Sequence, residues 1–129
     1  MINPVEFLGN VFNTEYVPDI NQEIIVEYFK YGRKYKQTCW KNKLKSRKTG
    51  PAEIIYHDNG RIYCESYYLD NMLHNEKGPA LICYDETGEL VKESFYYYNQ
   101  LHRVDKPAII SYNDGLIISQ QFFLHNHKI

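Results

Sequence analysis

The chain has 129 residues, with 15 basic against 16 acidic side chains and a formal net charge of −1. Its overall charge therefore selects no polyanionic partner, and no apolar run approaches the ~20 residues that a membrane-spanning helix needs. Thirteen tyrosines with six phenylalanines and one tryptophan favour strands, because aromatic rings fit a half-buried pleated surface.

In chain order, residues 1–21 stand outside the pattern that follows. They lack the basic region and long apolar run of a secretory signal. Their apolar stretch Val5-Glu6-Phe7-Leu8-Gly9-Asn10-Val11-Phe12 is expected to cap one end of the molecule, as helix or strand. From residue 22 to 129 a phrase returns at a step of 28 residues: Gly50-Pro51-Ala52, Gly78-Pro79-Ala80, Lys106-Pro107-Ala108. A repeat of this length dictates architecture before any local argument. Tyr56 aligns with Tyr84, Gly60 with Gly88, Glu65 with Glu93 and Tyr68 with Tyr96; backwards, Tyr28, Gly32 and Trp40 hold the same register. In the last unit Gly115 comes one residue early, so Phe122-Phe123 match Phe95-Tyr96 at a step of 27.

Each unit opens with an alternating run whose columns are Ala52/Ala80/Ala108, Ile54/Ile82/Ile110 and Tyr56/Tyr84/Tyr112. Period-two alternation bounded by Pro and Gly predicts a half-buried strand with this face inward. A turn follows (His57-Asp58-Asn59-Gly60, Asp85-Glu86-Thr87-Gly88, Asn113-Asp114-Gly115), where glycine supplies the positive φ that tight turns require. The chain then returns over Arg61–Leu69 and Glu89–Tyr97, ending in the aromatic column Trp40, Tyr68, Tyr96 and Phe123. The expected fold is all-β: an antiparallel meander of about eight strands built from about four hairpin repeats, with contacts mainly between neighbours.

The phrase Leu101-His102-Arg103-Val104-Asp105-Lys106-Pro107-Ala108, followed by Tyr112 and Asn113-Asp114-Gly115, resembles the MORN-like repeats of giant DNA viruses, some bacteria and their phages. The chain departs from that pattern at Lys106, where glycine is expected, and over Lys43 to Thr49, where the leucine–histidine pair is lost. The resemblance implies an elongated scaffold that is not catalytic by itself. It implies roles in protein interaction, dimerisation or binding of acidic phospholipid, and a viral or phage factor acting on a host or virion protein.

Side-chain chemistry supports binding over catalysis. No phosphate loop, HExxH or GxSxG occurs. His74 and His102 occupy equivalent positions and read as structural, their rings bonding loop backbone. His125 and His127 fall on one side of an extended segment, a weak i, i+2 chelate without a third ligand. Glu65, Glu93 and Gln120 read as a solvated stripe on the outer face. Cys39, Cys64 and Cys83 show neither metal spacing nor an even disulfide framework, which points to a reducing, intracellular setting. No catalytic residue, cofactor or metal site is assigned.

Two binding surfaces remain. The strand face carrying Tyr63, Tyr67, Phe95 and Phe122 is a candidate contact patch for a protein partner or a second copy. Alternatively, nine of the 15 basic residues lie between Lys30 and Lys48 with no acidic residue among them. Of these, Arg33, Lys34, Lys36, Lys41, Lys43, Lys45, Arg47 and Lys48, interleaved with Tyr31 and Tyr35, form a candidate site for nucleic acid or acidic lipid. The plainer account is an edge kept soluble by lysine.

Overall fold

The computed structural model describes residues 11–16, 22–29 and 32–129, with the side chains described from residue 22 onward. The expected cap from Val5 to Asn10, and Lys30 and Tyr31 of the basic block, lie outside the described residues. The chain is all-β, without a helix among the described residues. Strand β1 is Val11–Tyr16, β2 Gln22–Tyr28, β3 Lys34–Lys41 and β4 Leu44–Lys45; β5 is Glu53–Tyr56 and β6 Ile62–Ser66. The small strands β7 (Tyr68–Leu69) and β8 (Met72–Leu73) follow, then β9 (Leu81–Tyr84) and β10 (Leu90–Ser94). The rest are β11 (Tyr96–Tyr97), β12 (Gln100–Leu101), β13 (Ile109–Asn113), β14 (Leu116–Gln121), β15 (Phe123–Leu124) and β16 (His127–Lys128).

One antiparallel sheet runs β1-β2-β3-β5-β6-β9-β10-β13-β14, with β4 attached to β3. Neighbours in space are neighbours in sequence, as a meander requires. Residues 11–16, within the expected cap, form a strand that pairs with β2.

The return strands are not continuous as expected. After the first hairpin, where β3 runs unbroken to Lys41, they break at a corner residue, because the backbone there serves two ladders. Tyr67 donates its N–H to Ala80 O (2.7 Å), while its own carbonyl accepts from His74 N–H (3.0 Å). Phe95 does the same between Ala108 and His102, and Cys39 between Ala52 and Ser46. Beyond each corner the chain folds into a tight hairpin, where a polar loop was expected. Its two central residues both have positive φ: Asn42–Lys43 (51° and 66°), Asp70–Asn71 (48° and 67°), Tyr98–Asn99 (43° and 70°) and His125–Asn126 (45° and 67°). That is the signature of the mirror-type turn favoured in two-residue hairpins.

Asparagine does more in these turns than tolerate the conformation. Asn71 donates its N–H to Lys45 O (2.8 Å) and accepts from Lys45 N–H through Oδ1 (2.7 Å). Asn99 clamps Leu73 in the same two ways, and Asn126 clamps Leu101. Each small hairpin is thus tied to the one before it, forming a second ladder beside the main sheet.

The main turns also follow the glycines. Gly32, Gly60 and Gly88 have φ of 92°, 89° and 93°, and the last hairpin closes on Asp114–Gly115 at 51° and 77°. That two-residue turn accounts for the shortened final step. Gly50 and Gly78 do not have positive φ, and a Cβ on Gly78 would meet only Asn75 Nδ2 at 3.8 Å. Lys106 therefore fits the same place without strain.

The alanine column is interior as expected: Ala52, Ala80 and Ala108 are 1%, 0% and 0% exposed. The contiguous apolar cluster is small and lies at one end, made of Ile24, Val26, Cys39 and Ala52 with Tyr28 and Tyr68 packed on it. Trp40, Tyr68, Tyr96 and Phe123 are each half-buried. Ring contacts form a separate series: His74 stacks on Tyr98 (centroids 3.9 Å apart), Tyr97 meets both, and His102 stacks on His125 (4.0 Å).

Candidate interaction surface

Antiparallel pairing places Gln37, Ile54, Glu65, Ile82, Glu93, Ile110 and Gln120 in one cross-strand row. Glu65 and Glu93 therefore share the face of the isoleucine column, which corrects the expected outer stripe. Both carboxylates are half-buried. Tyr84 Oη–H donates to Glu65 at 3.0 Å, and Tyr112 Oη–H donates to Glu93. The apolar column of one strand alternates with the acidic column of the next, and the tyrosine hydroxyls satisfy the acids.

Burial first, and then the hydrogen bond to the carboxylate, push each of these hydroxyls up to about 12 from 10.0. A raised pKa means the folded state holds these protons more tightly than the unfolded state. The associated stability is fully present below pH 10 and is lost as pH rises through about 12. Thermal unfolding from pH 8 to 12 should show that loss, and a Tyr84→Phe/Tyr112→Phe double variant should show less of it. The same variant should lose the highest-pH phase of a tyrosinate absorbance titration.

Tyr63, Tyr67, Phe95 and Phe122 alternate onto this same side of their strands. Tyr63 is 45% exposed and Phe122 39%, and the Tyr63 ring leans on His57 with centroids 4.9 Å apart. Tyr67 and Phe95 are the half-buried corner residues, so their first role is structural. Arg103 lays its guanidinium 3.8 Å over the Phe95 ring, a cation–π contact, and donates to Pro107 O at 3.3 Å. The patch continues into the last hairpin. Leu116, Ile117 and Ile118 are 70%, 54% and 65% exposed, and Leu124 and Ile129 are also exposed. From Gly115 to Leu124 there is no charged side chain, and β14 is the end strand of the sheet. An uncharged apolar edge is what natural sheets usually avoid. The identities of 116–118 signalled this in the sequence, but position at the edge required the sheet order.

The basic block is divided. Strand β3 separates its ends by roughly 23 Å. At the turn end, Arg33 donates to Asp58 O at 2.8 Å, Lys36 approaches Glu27 at 3.8 Å and Lys34 is exposed. At the other end, Lys45 pairs with Glu53 at 2.9 Å and sits 4.9 Å over the Tyr68 ring. Lys41, Arg47 and Lys48 instead line a cleft of about 890 Å³ between the first two small hairpins, with Asp70, Ser46 and Tyr98. Lys43 belongs to the adjoining concavity with Trp40 and Glu23. The eight residues are thus spread along the length of β3 and the small hairpin that follows it.

The histidines hold backbone, as expected for His74 and His102. His74 Nδ1 accepts from Tyr98 N–H at 3.0 Å, and His102 Nδ1 accepts from His125 N–H at 3.1 Å. His125 lies in a turn, not on an extended segment as expected, with its Nδ1 3.0 Å from Gln100 Oε1. Among the described residues no three His, Cys, Asp or Glu side chains gather as metal ligands.

The cysteines correct the sequence reading: Cys64 on β6 and Cys83 on β9 are directly paired, with Cα atoms 4.1 Å apart, and are joined as a disulfide. Cys39 is buried and lies outside that disulfide.

Fold and surface together define an antiparallel β-meander of linked hairpins with an aromatic face and an open apolar edge. Comparison with family models, with curated proteins and with solved structures returns no match to this chain. No helix among the described residues is long and apolar enough to cross a membrane.

Proposed function

We propose that the chain is a non-catalytic, MORN-like scaffold that binds another protein through its aromatic face and C-terminal edge. The observation that carries this reading is the concentration of exposed apolar side chains on the uncharged stretch from Gly115 to Leu124, Leu116 to Ile118 with Phe122 and Leu124. Contiguous exposed apolar surface beside aromatic anchors is characteristic of protein-binding sites. Strand β14 also presents backbone donors and acceptors along an edge, so a partner strand, including one from a second copy, could add there. As a viral or phage factor it would engage a host or virion protein inside the cell.

Affinity capture from nuclease-treated lysate at low and moderate salt, followed by titration with the purified partner, tests the reading. Tyr63→Ala with Phe122→Ala removes two exposed rings, and should weaken binding roughly tenfold or more. Unchanged affinity in that variant and in Ile118→Lys would refute the assigned surface. Mass measurement by light scattering registers self-association in the same samples.

The cleft of Lys41, Arg47 and Lys48 favours a second reading, binding of nucleic acid or acidic lipid. Retention of such a polyanion alone, falling steeply with salt and abolished by reversing these three residues to glutamate, would replace the protein reading.

A further inference from the structure

We propose that Cys64 and Cys83 act as a reversible redox coupler, deciding whether the C-terminal half of the sheet opens with the N-terminal half or ahead of it. The two halves meet at β6 and β9, through the pairs Cys64–Cys83, Glu65–Ile82 and Ser66–Leu81. The halves are unequal. The contiguous buried apolar cluster of Ile24, Val26, Cys39 and Ala52 belongs wholly to β2, β3 and the entry to β5. Beyond the junction, Leu116 to Gln120 are exposed along β14, and few large apolar side chains are fully buried. In an array held by nearest-neighbour contacts, such a half opens at lower free energy unless coupled to its neighbour.

The disulfide supplies that coupling where it matters most. It spans the junction itself, closing a segment of sequence separation 19 that contains the small hairpin β7–β8. The opposed Cα atoms, 4.1 Å apart, are held by the sheet register, so reduction leaves the thiols face to face and ready to re-form the bond. Formation proceeds by exchange with a low-molecular-weight disulfide. One cysteine thiolate attacks the external disulfide and releases one external thiolate. The second cysteine thiolate then attacks the mixed disulfide and releases the other. Two protein thiols are oxidised, one external disulfide is reduced to two thiols, and the two protons pass to the departing thiolates. Cys64 and Cys83 are 7% and 9% exposed, so exchange requires local opening of the junction.

The test equilibrates the full chain with oxidised glutathione or with dithiothreitol, counts free thiols, and follows amide hydrogen exchange by mass spectrometry. The oxidised chain should show one reactive thiol after denaturation, that of Cys39, and the reduced chain three. Amides of β9, β10 and β13 should exchange roughly a hundredfold faster in the reduced chain, the size expected from releasing a closed loop of this length. Those of β2 and β3 should change much less. Cys83→Ala should reproduce the reduced profile under both conditions; the chemical comparison on the unaltered chain stands should that variant not fold. Three free thiols after oxidation, or one exchange profile common to both redox states, would overturn the proposal.

Discussion

Replacing Ala80 with leucine should destabilise the protein by about 2–3 kcal/mol, lowering the melting temperature by about 10 °C. Ala80 is 0% exposed. Its carbonyl accepts from Tyr67 N–H at 2.7 Å and its N–H donates to Ser94 O at 2.9 Å. Backbone is therefore fixed on both sides of its methyl group, and three added carbons can be accommodated only by displacing a ladder. Gly78→Ala, two residues away, is the contrasting case. Its φ is not positive and its Cβ would meet ordinary van der Waals contact, so its effect should lie within about 1 kcal/mol and be stabilising in sign. Thermal unfolding of the two variants side by side checks both values. An Ala80→Leu melting point within two or three degrees of the parent would show that the column is looser than its burial implies.

The second large effect should come from His74→Ala, at about 3 kcal/mol. The ring is 5% exposed, its Nδ1 accepts from Tyr98 N–H, and its face stacks on the Tyr98 ring. Tyr98 has φ of 43°, a left-handed conformation that costs a bulky residue roughly 1–2 kcal/mol. His74 offsets that cost from both the backbone and the ring. Truncation leaves an unpaired N–H, a cavity and a strained tyrosine. His74→Asn keeps an acceptor near the Nδ1 position and should recover part of the loss. His74→Phe keeps volume but no acceptor and should recover less. Urea denaturation of the three variants separates the contributions, and an equal loss in Asn and Phe would argue against the hydrogen bond as the main term.

Much of this architecture was legible from spacing, because the strand pattern and turn glycines recur at one step. The early Gly115 correctly announced a shorter last turn. What spacing concealed was the relation between different columns. Cys64 aligns with Lys92 and Cys83 with Ile55, so comparison of units places the two cysteines apart. Only the pairing of each return strand with the next outgoing strand puts them face to face. The same pairing puts Glu65 beside Ile82, turning an apparent outer stripe into tyrosine-bound acids. The small hairpins escaped for another reason. Asp70-Asn71 and Tyr98-Asn99 lack the glycine that marks such a turn, and the asparagine clamp that compensates reaches into the preceding hairpin. On the surface, charge density between Lys30 and Lys48 suggested one patch, but strand length and local pairing distributed it.

Pulled from its two ends, this sheet would be loaded along its hydrogen bonds, since the strands lie across the line joining first to last. Bonds so loaded yield one repeat at a time, and the asparagine clamps would part with the hairpins they join. Extension should therefore proceed in steps, each releasing about 28 residues or roughly 95 Å of chain. The Cys64–Cys83 bond would withhold the segment it encloses, shortening the total extension by roughly 60 Å. The protein would behave as a low-force, stepwise tether whose reach is set by one covalent link.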